Sequence, residues 1–315
     1  EFRHVLFRSG PLMGVPFAVK NLFDIAGLPT RAGSKINNDG PIAKRDGALV
    51  RRLEAAGAIL VGGLNMGEYA YDFTGENAHY GPSRNPHDPT RMTGGSSGGS
   101  GAAVAAGEVP LALGSDTNGS IRVPSALCGI YGLKPTYGRL TRAGTFPFVG
   151  SLDHLGPFAR TVGDLAAAYD VMQGADDLDP MCAQRPVEPV SGQLPQGLEG
   201  LRVGLLTGYF EQNAGEEAWA AVEHTAREIC VSRVVVLPEV ERARAAAFII
   251  TAAEGGQLHL PHLRTRRAAF DSLVRDRLTA GVLIPAAWYL QAQRVRRWFS
   301  QRVREAFREI GRAHV

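Results

Sequence analysis

The stretch that most constrains this chain runs over residues 92–136, MTGGSSGGSGAAVAAGEVPLALGSDTNGSIRVPSALCGIYGLKPT. Glycines cluster between positions 94 and 119, where the backbone must approach something closely or take turns that a Cβ forbids. A flexible linker shares that composition, but this block is punctuated by regular structure. GGSSGGS opens into small residues that predict a tightly packed helix over 97–108. An apolar strand over 110–115 follows, then a second glycine turn and a short helix over 120–127. A phosphate-cradling loop of the GxxxxGK[ST] kind is excluded, because no lysine follows. What remains is a pair of serines in glycine-rich turns, Ser96 and Ser120, spaced 24 residues apart.

The flanking chain supplies layers for this block to pack into. GVPFAVKN reads as a turn and a short apolar strand with Lys20 at its exit. Residues 21–45 are loop-rich. Asp46 is expected to cap an amphipathic helix, DGALVRRLEAAGA, with Leu49, Val50, Leu53 and Ala56 on one face. Gly57 ends it, and 59–64 reads as a buried strand. This alternation indicates an α/β layered fold. Residues 65–93, rich in Gly, Pro and Asn, are expected to form a long loop lining a site. Further helices are expected over 161–174, 216–230, 240–255 and 285–307, and strands over 201–206 and 234–237, with 181–200 an excursion between layers. The last helix sets Trp288, Leu290, Val295, Trp298 and Phe299 on a packed side against a basic side of Arg294, Arg296, Arg297 and Arg302.

Composition narrows the function classes. At 315 residues, 44% hydrophobic and 21% charged, the chain has material for a large core. A net charge of +3 without a Lys/Arg run gives no footprint for direct nucleic-acid contact. No apolar run approaches the ~20 residues of a membrane helix, and no signal-peptide pattern opens the chain. Cys128, Cys182 and Cys230 are widely spaced and lack a CxxC pair, so neither disulfides nor a zinc knuckle is expected, which fits the cytoplasm. The two ends match as inverted repeats. IGRAH at 310–314 can be encoded ATCGGAAGAGCACAC, whose reverse complement encodes VLFR, the sequence at 5–8. Residues 1–9 and 310–315 are therefore expected to derive from adaptor DNA, with the native gene continuing both ways.

A serine hydroxyl attacks only when a base removes its proton. His79, His87 and His154 lie near the glycine-rich block, and a Ser-His-Asp triad stays open because its members need not be neighbours. No GxSxG elbow is present, however. Lys20 is the other candidate base, since desolvation at a strand end favours a neutral amine.

GVPFAVKN, GGSSGGS, AAVAAG, LGSDTNGSIRVPSALCG and GLKPTYGR together resemble the amidase signature family, most densely over 14–165. The resemblance implies an α/β amidase signature fold, a central mixed β-sheet sandwiched between layers of α-helices, here as a partial domain over 10–309. It implies Ser120 as nucleophile, Ser96 as a bridging serine preceded by a cis peptide, and Lys20 as base. It further implies an oxyanion hole from the backbone of Thr117, Asn118, Gly119 and Ser120, with no metal and no cofactor. Two positions depart from the family pattern. Asn118 stands where glycine is common, and asparagine tolerates left-handed geometry; Asn21 stands where aspartate is common.

NLFDIAGLPTRAGSKINNDGP, LNMGEYAYDFTGEN, FPFVGSLDHLGPFAR and ITAAEGGQLHLPHLRTR resemble most the branch that hydrolyses 1-carboxybiuret in s-triazine breakdown. That branch implies a small anionic ureide substrate, ammonia release, and a small helical partner protein in a hetero-oligomer. Bidentate arginine suits a carboxylate best, so Arg122, Arg264 and Arg266 are candidates to bind it. Tyr71 in the covering loop and Gly95 are further candidates to contact substrate, while Gly95, Gly119 and Asp116 are expected to shape the site. The glutamine-hydrolysing component of a tRNA amidotransferase and a non-catalytic amidase-fold scaffold are the alternatives.

Overall fold

The computed structural model describes residues 10–310; the ends expected to be foreign lie outside it, Ile310 excepted. Strand β1 (Pro16–Lys20) is apolar up to its last residue. Helix α1 (Ala48–Ala55) buries Leu49, Val50 and Leu53 along one face. Its N-cap is Gly47 rather than Asp46, whose Oδ1 instead accepts the Ala26 N–H at 2.8 Å. Strand β2 (Ile59–Leu64) takes the expected bounds but lies at a sheet edge, with Ile59 and Val61 exposed. The stretch expected to be loop contains an antiparallel pair, β3 (Arg84–Asn85) and β4 (Asp88–Met92).

The glycine-rich block forms α2 (Gly98–Ala105), β5 (Leu111–Asp116) and α3 (Arg122–Cys128), followed by β6 (Tyr131–Gly132) and β7 (His154–Ala159). Five strands make one mixed sheet in the order β2-β1-β5-β7-β6, with β2, β1 and β5 parallel and β7 antiparallel to both of its neighbours, β5 and β6. Strand alternation splits the core between its faces. Phe17, Val19, Leu111 and Leu113 pack with α1 and with Ala168 and Met172 of α4 (Val162–Met172), whereas Ala18, Ala112 and Phe158 pack with Ala103 and Val104 of α2. Small residues in α2 allow that helix to lie close to the sheet.

A separate parallel pair, β8 (Gly204–Leu206) and β9 (Arg233–Val235), is joined through α5 (Tyr209–Gln212) and α6 (Glu216–Glu228). Three helices follow: α7 (Val240–Thr265), α8 (Ser272–Val282) and α9 (Ala286–Ile310). The helix expected over 240–255 runs on past Gly255 and Gly256 to Thr265, 26 residues in all. The reason is packing. A Cβ on Gly256 would lie 2.7 Å from the Val282 nitrogen, and one on Gly281 would lie 1.9 Å from the Ala252 carbonyl oxygen. These glycines let α7 and α8 touch backbone to backbone. Gly281→Ala is therefore expected to destabilise the fold by about 1–3 kcal/mol, read as a lower denaturant midpoint with unchanged slope. Trp288 and Leu290 of α9, expected on the packed side, are mostly exposed. Cys128, Cys182 and Cys230 are free thiols, and among the described residues no helix is long and apolar enough to cross a membrane.

Candidate active site

Parallel pairing sets Val19 beside Leu113, so Lys20 leaves β1 next to the end of β5. Open α/β sheets place ligand sites at such carboxyl ends. Lys20 is fully buried, and its Nζ donates to Ser96 Oγ at 2.6 Å and to Ser115 Oγ at 2.9 Å. Burial disfavours the ammonium form and pushes its pKa down from 10.5 to about 7, against the opposing pull of Asp116, Asp153 and Asp72. Ser115 was not singled out from the sequence. Its only signal was the strand pairing itself, which brings the two strand exits together.

Ser96 is buried in the turn between β4 and α2, and the Gly95–Ser96 peptide is cis. Gly95 donates its N–H to the Phe73 carbonyl at 2.8 Å, and a Cβ there would lie 2.3 Å from Asp72 Oδ2. Gly95 is thus walled in by residues 72–75. Ser120, also buried, follows Gly119, whose φ of +153° favours a residue without Cβ. Val123 holds the two serine turns together. A Cβ on Gly94 would lie 2.9 Å from Val123 Cγ1, and one on Gly119 3.1 Å from Val123 Cγ2.

Asp116 organises the turn after β5. Its carboxylate takes Arg122 Nε at 3.0 Å, Arg122 Nη2 at 3.1 Å and Lys134 Nζ at 3.0 Å, together with the N–H groups of Ile121 and Arg122. Burial alone would raise its pKa, but the Arg122 and Lys134 cations hold it well below the usual carboxylate range. Arg122, a candidate for a substrate carboxylate, therefore gives its bidentate fork to Asp116. Lys134 also donates to the Thr117 carbonyl at 3.1 Å. Thr117 Oγ1 donates to Asp153 Oδ1 at 2.7 Å, and Asn118 Nδ2 donates to Thr251 Oγ1 at 2.8 Å. The left-handed tolerance invoked for Asn118 is not used; the positive φ falls on Gly119, and Asn118 contributes its side-chain amide instead.

The other candidates, Arg264 apart, have partners of their own. Tyr71 packs on Phe148 at 4.8 Å between ring centroids and lies under Arg277, whose Nη1 donates to the Tyr71 carbonyl at 2.9 Å. Phe148 lines a cavity of about 390 Å³ together with Ser115, Arg142, Phe146, Asp153 and Leu155. Arg264 is exposed near the C-terminal end of α7, about 20 Å along the axis from Thr251 at ~1.5 Å per residue. Arg266 donates to the Ile36 carbonyl at 3.1 Å and to Asp39 at 3.3 Å. The histidines are committed elsewhere: His79 to Glu68 at 2.9 Å, His87 to the Cys128 carbonyl at 2.9 Å, and His154 to the Leu152 carbonyl at 2.6 Å. Burial pushes the pKa of His154 down to about 4. Asn21 spends its Oδ1 on the Gly33 N–H, so the charge acting on Lys20 comes from Asp116, Asp153 and Asp72. Among the described residues no cluster of three or more His, Cys, Asp or Glu could hold a metal.

Known proteins resemble this chain in sequence and fold. The Amidase family model matches residues 4–314. The chain is 60% identical over 299 residues to AtzE, the 1-carboxybiuret hydrolase component of Pseudomonas sp. (strain ADP), covering 95% of this chain and 65% of that protein. It is 38% identical over 330 residues to the glutamyl-tRNA(Gln) amidotransferase A component of Methylococcus capsulatus, covering 96% and 68% respectively. A solved chain from a vestigial protein complex, which bears on the evolutionary origins of an s-triazine catabolic enzyme, superposes with a TM-score of 0.95 at 60% identity. That match covers 96% of this chain and 66% of the other. A crystal structure of an amidase superposes at 0.83 with 33% identity, covering 96% and 66%. The chain thus spans 65% of the length of its 60%-identical relative. With a family match over nearly its whole length and a serine–lysine cluster at the end of its central sheet, the chain belongs to the amidase family.

Proposed function

We propose that this chain carries the catalytic machinery of an amidohydrolase that cleaves a linear ureide C–N bond through Ser120, with 1-carboxybiuret as substrate. The observation that carries the chemistry is the 2.6 Å contact between Ser96 and a fully buried Lys20 whose pKa is held to about 7. A neutral amine there takes the Ser96 proton while Ser96 takes that of Ser120. Ser120 Oγ bonds to the carbonyl carbon, and the N–H groups of Thr117, Asn118, Gly119 and Ser120 receive the developing oxyanion. The proton returns through Ser96 to the substrate nitrogen, the C–N bond breaks, and ammonia leaves. Water then repeats the relay on the acyl-enzyme. The products are a dicarboxylated urea and ammonia. No cofactor or metal enters this scheme, and residues 10–309 act as one partial domain.

The substrate assignment draws its support from the 60% identity with a 1-carboxybiuret hydrolase component. The similar chain from a protein complex supports a hetero-oligomer, and we read the partner as a small helical protein. Free thiols favour a reducing compartment, the cytoplasm. Ammonia release by the product of the complete gene, assayed on 1-carboxybiuret, biuret and glutamine, tests the reading. Turnover of the carboxylated ureide is expected. Turnover of glutamine alone would assign the chain to amidotransferase chemistry instead, and failure on every ureide would remove the substrate assignment.

A further inference from the structure

Two consecutive residues of the turn between β5 and α3 are tied to the same distant helix. Asn118 donates its side-chain amide to Thr251 Oγ1 at 2.8 Å, across 133 positions of sequence. A helical threonine commonly turns its hydroxyl back on its own helix; this one, 1% exposed, accepts from the turn. One helical turn further along α7, Glu254 takes the Ser151 N–H at 3.0 Å, the Ser151 hydroxyl, and the Tyr289 hydroxyl at 2.8 Å. Ser151 belongs to the loop of Asp153, whose carboxylate accepts from Phe148 N–H and Val149 N–H at 2.8 Å each and from Thr117 Oγ1 at 2.7 Å. Helix α7 therefore grips Asn118 directly and Thr117 through one loop.

We infer that Thr251 is a positioning residue for catalysis, acting through Asn118 to hold the 117–120 turn in the geometry that receives the oxyanion. The inference rests on the assignment of Ser120 and its turn to amide hydrolysis. Gly119 leaves the turn backbone free to reorient, and N–H donors aid the reaction only when fixed where charge develops. The Asn118 side chain supplies that restraint, anchored on a helix that the Gly256 and Gly281 contacts lock against α8. Because the oxyanion exists only beyond the ground state, losing the restraint lowers kcat more than it raises KM.

The test compares Thr251→Val, Thr251→Ser, Asn118→Gly and the Asn118→Gly/Thr251→Val double variant in the complete protein. Two readouts are used: kcat and KM on 1-carboxybiuret, and the rate at which a fluorophosphonate labels Ser120, which needs no knowledge of the substrate. Thr251→Val is expected to lower kcat and labelling about tenfold, short of the ~10²–10³ for deleting an oxyanion donor outright, with KM within about twofold. Thr251→Ser restores both, and in the Asn118→Gly background Thr251→Val has no further effect. Unchanged rates in Thr251→Val, failure of serine to rescue, or losses that multiply in the double variant each overturn the inference. Absence of Ser120 labelling and turnover in the wild type would instead remove the hydrolase assignment on which it rests.

Discussion

Ser120→Ala is expected to lower kcat by about 10⁴–10⁶-fold, the scale seen when a serine nucleophile is removed from an enzyme whose groups act as a unit. The substitution takes away one oxygen from a residue 3% exposed and leaves Gly119, Asp116 and the start of α3 in place. The melting temperature should stay within about 4 °C of wild type, a change of ~1 kcal/mol for a chain of this size. Steady-state ammonia release and a thermal scan on the same preparation measure both. Retention of more than about a hundredth of the wild-type rate would show that another group attacks the carbonyl.

In the proposed mechanism Lys20 sets the pH dependence. With its pKa lowered to about 7, the neutral base is scarce in acid. The rate kcat/KM is expected to climb about tenfold per pH unit below 7 and to level off above it. Lys20→Met should lower turnover by about 10³–10⁴-fold and abolish that profile. Stability changes with pH in the same direction as for a carboxylate of lowered pKa, but the contribution is a penalty relieved as pH rises rather than a gain. Between about 7 and the ordinary value of 10.5 the unfolded chain binds the extra proton, so wild-type stability rises with pH through that window. Below pH 7 both states are protonated and the full penalty of the buried ammonium is present. Lys20→Met escapes it, so its midpoint relative to wild type should be most favourable near pH 6 and lose that advantage towards pH 10. A gap in denaturant midpoints that does not change with pH would contradict the lowered pKa.

Local pattern made many elements legible. The period of Leu49, Val50 and Leu53 marked α1, the apolar run ending at Lys20 marked β1, and the small residues after Ser96 marked α2, because each signal depends on residues within a few positions of one another. Misreadings occurred where distant packing overrode local chemistry. The helix read over 240–255 stops ten residues short of the observed end at Thr265, because contact with Phe148 and α8 makes Gly255 and Gly256 positions of close approach inside α7. Ile59 and Val61 look like core, yet β2 is an edge strand.

The same division runs through the candidate site. Sequence alone brought out Lys20, Ser96, Ser120 and the glycine turn, because their chemistry is written in compact stretches around each residue. It also carried the resemblance that placed the chain in its family. Tertiary structure alone decided what surrounds them. Arg122 is held by Asp116 rather than left open to a substrate carboxylate, Ser115 shares Lys20 with Ser96, and Thr251 reaches Asn118 from another helix. A side-chain hydrogen bond has a reach of about 3 Å and no sequence period. Contacts between Asn118 and Thr251 exist only once the sheet, the 148–153 loop and α7 have been packed together.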